Sequence, residues 1–161
     1  MGFFLSKRHV GGPSLLTDEE ETCLQTGDIL LVESTKQHFI ETYDMWQIVA
    51  LYMCQDQREY VFTGNSMIPL HVFTRNHEDI LCRPLNCVRT IGFERLFHQA
   101  TKKAMALAVP DAESVAHVLA CLGFVSWNQL RRLRIEPKHF AAESTQLTLD
   151  MYNTEPFYIT F

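Results

Sequence analysis

Short runs of apolar residues separated by turn residues occupy the chain from about residue 24 to residue 85. Continuous apolar runs of about four to eight residues between turns are typical of buried strands. The predicted strands lie at residues 29–32, 46–53, 58–62, 67–70 and 79–85. Pro84 ends the last of these strands or marks a sheet edge, because proline has no N–H for a strand ladder. The order of the runs predicts an antiparallel meander.

The hydrophobic spacing changes after this region. Apolar residues recur three and four apart over residues 93–107, which predicts an amphipathic helix. Pro110 stops or redirects the chain, and Asp111 is a suitable N-cap for a second helix over about 112–122, which Gly123 ends. Strands followed by helices predict an α+β domain, in which an antiparallel meander or small barrel packs against two or three helices.

The chain divides into one domain with tails. Its 161 residues, 47% of them hydrophobic, are enough for one domain with a core and too few for two of ordinary size. Residues 1–22 are predicted to be an N-terminal extension, because they contain a Gly-Gly-Pro break and an acidic run. The domain is predicted over 23–150 and a C-terminal arm over 151–161, although residues 155–161 also fit a last strand.

Composition narrows the function classes. Nineteen acidic and fourteen basic residues give a formal charge of −5, which argues against a nucleic-acid surface because phosphates are bound by clustered Lys and Arg. The five cysteines contain no C-x-x-C pair and follow no secretory segment, so we expect a reducing compartment, cytoplasmic or cytoskeleton-associated. No apolar run approaches the roughly 20 residues that cross a bilayer, so no transmembrane segment is predicted.

The amino terminus matches a lipidation pattern. The first six residues fit M-G-x-x-x-S, the pattern of N-myristoylation with Gly2 as acceptor. The bulky Phe3 beside the acceptor disfavours this modification, and one acyl chain gives only marginal membrane binding. We therefore favour the alternative that Phe3, Phe4 and Leu5 dock as an apolar arm on this domain or on a neighbour.

Six short signals between residues 24 and 147 follow one another in a familiar order. They are Gly27-Asp28, residues 48–51, residues 61–63, Arg83-Pro84, residues 111–116 and the turn Pro137-Lys138-His139-Phe140. Their order resembles that of the permuted papain-like amidases, thiol hydrolases related to NlpC. The resemblance implies a circularly permuted papain-like fold.

The catalytic positions that this resemblance implies hold unsuitable residues. The family places a His on the second strand, a polar residue on the third strand and a Cys at the start of the late helix. The matching residues here are Ile48, Thr63 and Asp111. Thiol catalysis needs a thiolate and a nearby imidazole base, and these three side chains supply neither. The resemblance therefore implies a pseudoenzyme without catalytic residues, cofactor or metal.

Other cysteines and histidines leave alternatives open. Cys54 follows the strand that bears Ile48, and a dyad with His117 remains a possible displaced site. Cys121 is predicted to be buried, because free cysteine usually packs as a small hydrophobic residue. A zinc site assembled from His71, His77, Cys82 and Cys87 is disfavoured, since its spacings do not match the short pairs of structural zinc sites.

Aromatic and basic residues provide candidate interaction surfaces. A basic cluster follows Trp127, and Trp and Arg are favoured in interface hot spots, although most such clusters are solvated faces. Terminal arms are often ordered only by partners. The candidate interaction residues are Phe3, Phe4, Trp127, Arg131, Arg132, Arg134, Phe157 and Tyr158.

The sequence-based hypothesis is a non-catalytic structural or interaction protein. Its partners would be other proteins of a larger assembly, such as a cytoskeletal (axonemal) complex or a viral capsid. Two alternatives stay open. The first is a ligand- or peptide-binding pseudoenzyme with a pocket lined by Ile48, Thr63 and Asp111, and the second is an active thiol amidase or esterase with Cys54 or Cys121 as nucleophile.

Overall fold

The computed structural model of the chain describes residues 4–9, 21–33, 45–141, 144 and 146–160. Gly2, the acceptor in the disfavoured lipidation pattern, lies outside these residues. The strands in the described part are β1 (Phe4–His9), β2 (Glu21–Cys23), β3 (Ile29–Glu33), β4 (Trp46–Gln55), β5 (Arg58–Phe62), β6 (Met67–Pro69), β7 (Ile80–Arg83) and β8 (Phe157–Thr160). The helices are α1 (Leu70–Asn76), α2 (Phe93–Met105), α3 (Asp111–Cys121) and α4 (Trp127–Arg132), with 3-10 turns at Pro137–Phe140 and Asp150–Tyr152.

The strands form one antiparallel sheet in the order β2-β1-β8-β7-β3-β4-β5-β6. The predicted α+β class is confirmed. Strands β3, β4, β5 and β6 are neighbours in chain order, as in the predicted meander, but β7, the fifth predicted strand, pairs with β3 and not with β6. The sheet is open, since the edge strands β2 and β6 do not pair with each other among the described strands. None of the helices in the described ranges is long and apolar enough to cross a bilayer.

Strand β8 lies inside the sheet, between β1 and β7. The sequence left two alternatives open for residues 155–161, an arm or a last strand, and the structure contains the strand. Phe157 and Ile159 are 2% and 3% exposed, so residues 157–160 belong to the domain and do not form a separate C-terminal arm. Residues 4–9, which were assigned to the N-terminal extension, form the strand that covers the other side of β8. Backbone pairing with β1 and β7 and the burial of Phe157 and Ile159 hold β8 in place.

The middle strands are buried on both faces. On β4, Val49, Leu51 and Met53 face a core that includes residues of α2 and α3, which we call the α3-side core. Ala50 and Tyr52 face a second core that includes residues of α1, the α1-side core. Because side chains alternate along a strand, two covered faces produce a continuous apolar run. This explains why the strands appear as unbroken hydrophobic stretches in the sequence.

Helix α3 has well-defined ends. Gly123 has a φ of +82° and its N–H bonds to the carbonyl of Ala120 at 3.1 Å, while the N–H of Phe124 bonds to Leu119 at 2.8 Å. This pair of bonds is a Schellman motif, and the predicted glycine stop is correct. At the other end Pro110 occupies the N-cap and Asp111 is the first helical residue. Asp111 makes no capping bond, so its predicted N-cap role is wrong.

Candidate functional site

The turn between β5 and β6 contacts the first residue of α3. Gly64 has a φ of +100°, and a Cβ built on it would lie 2.5 Å from the Cα and the carbonyl oxygen of Asp111. Asn65 donates a hydrogen bond from Nδ2 to Oδ1 of Asp111. Thr63 bonds within the turn, its Oγ1 lying 2.9 Å from Oγ of Ser66. Two of the positions assigned by the resemblance, 63 and 111, thus lie on elements in contact, and the Asp111 carboxylate is held by an amide.

The third position, Ile48, lies on the other side of the sheet. Its side chain packs against the α1-side core together with Ala50, whereas Val49 and Leu51 belong to the α3-side core. Side chains that point to opposite faces of a sheet cannot meet without crossing it. A histidine at position 48 would therefore not reach a nucleophile at position 111. The three positions do not form one site.

A β-bulge next to Ile48 places Trp46 on the opposite face of the sheet. Val32 pairs with Ile48 and Glu33 pairs with Trp46, which leaves the exposed Gln47 as the extra residue of β4. One extra residue lets Trp46 join the α3-side core while Ile48 enters the α1-side core. The bulge presents the uncharged side chain of Gln47 to solvent.

A cleft of about 390 Å³ opens at the start of α3. It is lined by two segments, residues 110–113 and residues 133–137. The charged side chains among these are Asp111, Glu113, Arg134 and Glu136. Of the pocket residues expected from sequence, only Asp111 lines it. The cleft therefore contains three carboxylates and one guanidinium and lacks the thiol and imidazole of a thiol hydrolase.

The buried thiols are poor nucleophiles. Burial raises the pKa of Cys54, and the charge of Glu94 raises it further. Burial also raises the pKa of Cys82 well above that of a free thiol, and Asp28 adds to the effect. A reactive cysteine needs a lowered pKa, because the thiolate is the attacking species. These environments favour the neutral thiol.

The remaining sequence alternatives for thiol chemistry do not assemble. His117 packs its ring edge-on against Trp127 at 5.2 Å, and it belongs to α3, whereas Cys54 lies in the α1-side core. Cys121 is exposed, so its predicted burial is wrong. It is the last residue of α3 and borders a shallow groove beside α2, where the two helices leave it uncovered. In the part of the chain that the structure describes, no cluster of three or more His, Cys, Asp and Glu side chains is arranged to hold a metal.

His139 is a buried polar residue that the sequence analysis did not single out. It is 3% exposed, and its Nδ1 accepts a hydrogen bond from the Glu136 N–H at 3.0 Å. Its Nε2 lies 2.7 Å from Oε1 of Gln146, which assigns the ring proton to Nε2. Glu136 and His139 form a capping box around the 3-10 turn. The spacing of Glu136 and His139 on either side of Pro137 was the only sequence signal for this capping box. The hydrogen bonds of His139 give it a structural role.

The framework motifs meet in a second buried network. Asp28 accepts hydrogen bonds from the N–H groups of Gln25 and Leu85, each at 2.9 Å, and from Nη2 of Arg89 at 3.2 Å. Burial raises the pKa of Asp28, and these bonds and the Arg89 charge lower it by less. The acid of the Gly-Asp turn therefore fixes the chain around residue 85.

Arg83 extends this network to the C-terminal part of the chain. Its Nε donates to the carbonyl of Tyr152 at 3.0 Å, and its Nη1 donates to the carbonyl of Phe140 at 2.9 Å. The Tyr152 hydroxyl donates to the carbonyl of Gly27 at 2.5 Å. The Gly-Asp, Arg-Pro and Pro-x-x-Phe motifs thus contact one another through hydrogen bonds that satisfy buried backbone groups.

The predicted terminal interaction residues have mixed outcomes. Phe157 is buried in the α1-side core, so its predicted role as an exposed clamp is wrong. Tyr158 is half-buried, and its hydroxyl donates to Oε1 of Glu33. Phe4 lies on β1, and Phe3 is outside the described residues. Phe157 is buried because β8 lies inside the sheet, between β1 and β7.

The predicted cluster around Trp127 is a surface feature. Trp127 is 43% exposed on α4, and Arg131, Arg132 and Arg134 are exposed. No residue of α4 is buried. These four residues are therefore accessible to a partner, as the sequence-based prediction requires.

Comparison with known proteins gives no match for this chain. No protein-family model, no curated protein and no solved structure matches it.

Proposed function

We propose that this chain is a non-catalytic interaction protein, a pseudoenzyme of permuted papain-like ancestry that works within a larger protein assembly. The observation that carries the proposal is the start of α3. There Asp111, at the position that the resemblance assigns to the nucleophile, is a carboxylate that accepts a hydrogen bond from Asn65, while Ile48, at the position assigned to the base, lies across the sheet and cannot meet it. A site with this geometry lacks both the nucleophile and the proton acceptor that thiol hydrolysis requires.

The framework supports the papain-like ancestry. Helix α3 packs on the sheet through Val115 and Leu119, beside the β4 residues of the α3-side core. The three motifs that carry the resemblance outside the catalytic positions meet around Asp28, Arg83 and Tyr152. These contacts satisfy buried backbone groups and need no catalytic residue. The motifs therefore fit a retained scaffold with a lost active site.

Thiol chemistry provides the test of the non-catalytic part. We expect iodoacetamide at neutral pH to modify the exposed Cys121 in the native protein, and to modify Cys54 and Cys82 only after unfolding. No turnover is expected on activated thioester, ester and amide substrates, and Cys121→Ser should change nothing but the labelling. Turnover that disappears in Cys54→Ser or Cys121→Ser would show that a displaced nucleophile is active and would overturn the proposal.

The assembly part of the proposal needs a second measurement. The five cysteines, all of them described by the structure, form no disulfide bond, which supports a reducing intracellular compartment. Cytoskeletal (axonemal) and viral capsid assemblies are the two candidate types. Native fractionation of cells that contain the tagged full chain should place it in particles far larger than its 18.6 kDa. Recovery as a free monomer at natural abundance would count against an assembly component.

A further inference from the structure

Helix α4 projects one side into solvent. Gln129 donates from Nε2 to Oγ1 of Thr148 at 2.8 Å, and Leu130 packs against the α3-side core, so this side of the helix faces the domain. Trp127 and Arg131 are four residues apart and share another side. Arg132 follows, also exposed. We call Trp127, Arg131, Arg132 and Arg134 the α4 surface.

The charge of the α4 surface is opposite to that of the whole chain. Its three arginines form no ion pair with any described residue, whereas Arg89 and Lys138 pair with carboxylates. The chain carries a formal charge of −5, so these three arginines, which lie within four residues of one another, form a patch of the opposite sign. Arginine binds carboxylates through two parallel N–H bonds, which gives both strength and orientation. Charge complementarity therefore selects an acidic partner.

Trp127 supplies an ordered apolar contact beside these charges. Its ring meets the His117 ring edge-on, with centroids 5.2 Å apart, while 43% of the residue stays exposed. A ring held on one side by a neighbour loses less side-chain entropy when a ligand covers the other side. Trp and Arg together are the residue types most enriched in binding hot spots.

The neighbouring cleft limits what can bind. Arg134 borders the cleft at the start of α3, which also contains the carboxylates of Asp111, Glu113 and Glu136. Those three charges repel an extended polyanion such as nucleic acid that continues past Arg134. A short acidic segment avoids this repulsion, because its charges can end over the arginines and an uncharged residue can enter the cleft.

We infer that the α4 surface binds an acidic polypeptide segment of a partner protein, with carboxylates on Arg131 and Arg132 and an apolar side chain on Trp127. This inference rests on the proposed function, since it names the partner class of the interaction protein. The partner contact is therefore assigned to the α4 surface, and neither the sheet edges nor Phe157 take part in it.

The test is an array of short synthetic peptides with graded net charge, from strongly acidic to strongly basic, each with one tryptophan. The full chain should bind the acidic peptides best, and Arg131→Glu/Arg132→Glu should weaken this binding by about tenfold or more. Trp127→Ala should also weaken it. The matched control is Lys102→Glu/Lys103→Glu on α2, two exposed basic residues whose reversal should leave affinity within about twofold.

Each outcome separates this inference from the proposed function. Binding that does not depend on peptide charge, or that the two double variants reduce equally, would overturn the inference. Tighter binding of a single-stranded oligonucleotide than of any acidic peptide would do so too. Mass spectrometry of the recovered peptides tests the proposed function in the same experiment: bound but cleaved peptides would end the non-catalytic proposal and leave the α4 surface standing.

Discussion

Replacing Gly64 with alanine probes the contact between the β5–β6 turn and the start of α3. The backbone at Gly64 has a φ of +100°, which L-residues adopt only with strain. An added Cβ would also lie 2.5 Å from the Cα and carbonyl oxygen of Asp111 and 2.8 Å from its carbonyl carbon. These are backbone atoms at the first turn of a helix, so they cannot rotate away. The turn or the helix must move.

The two effects together set the magnitude. The left-handed backbone costs alanine about 1–2 kcal/mol relative to glycine. Overpacking of a filled site adds about 1–3 kcal/mol. Gly64→Ala should therefore lower the free energy of unfolding by about 2–5 kcal/mol, less a few tenths because alanine also restricts the unfolded chain.

The control lies at the other end of the same helix. Gly123 has a φ of +82°, and a Cβ there has no described atom within 4 Å. Gly123→Ala therefore carries the backbone strain and the unfolded-state effect without the overlap. Urea unfolding followed by far-UV circular dichroism should show that Gly64→Ala is the less stable variant by about 1–3 kcal/mol.

Equal losses for the two alanine variants would refute the reasoning. They would mean that the turn does not approach Asp111 as closely as the structure shows. Because the overlap involves backbone atoms, Asp111→Ala in the same chain should not restore the stability of Gly64→Ala. A clear rescue would show that the side chain of Asp111, through Asn65, determines the approach.

Three further predictions test the buried polar groups. Tyr152→Phe removes a hydroxyl that is bonded to a backbone carbonyl, so it should lower the free energy of unfolding in urea by about 1–2 kcal/mol. The control is Tyr60→Phe. The Tyr60 hydroxyl bonds no described group, so this change should cost less than about 0.5 kcal/mol. Ser114→Ala removes a buried hydroxyl without a partner and should raise the melting temperature, while Ser126→Ala removes the α4 cap and should lower it. Because burial raises the pKa of Asp28, the folded chain keeps this proton after the unfolded chain has lost it, so its contribution is full below about pH 3.9 and falls as pH rises toward the folded pKa. As the pH rises above about 3.9, the stability advantage of wild type over Asp28→Asn should therefore shrink. An advantage that grows with pH would contradict a raised pKa of Asp28.

Local sequence signals predicted α2, α3 and the strands β3 to β7 because their causes are local, whereas α1, α4, β1 and β2 were not predicted. Pro110 and Gly123 bound α3 through fixed and left-handed backbone angles, which depend on these residues alone. Continuous apolar runs indicated buried strands, and β4 and β5 form where the runs lie. The exposed cluster at Trp127 was also visible, because arginine is rarely buried without a partner.

The candidate site depended on contacts that the local pattern does not contain. Asp111 resembles an N-cap in sequence, but Asn65, 46 residues away, takes its carboxylate. Cys121 has apolar neighbours in sequence, and the packing of α2 against α3 nevertheless leaves it exposed. His139 has two hydrogen-bonding partners that only the folded turn brings to its ring.

The sequence by itself determined the α+β class, the end of α3 at Gly123 and the exposed basic cluster, since backbone preferences and side-chain polarity act within a few residues. Only the tertiary structure decided that Ile48 faces away from α3 and that β8 is an inner strand. A period-two pattern fixes which side chains share a face, but the helices that pack on each side decide which face that is, and the bulge at Gln47 moves Trp46 to the face opposite Ile48. Strand order is a property of pairings between distant segments, and no local preference encodes it.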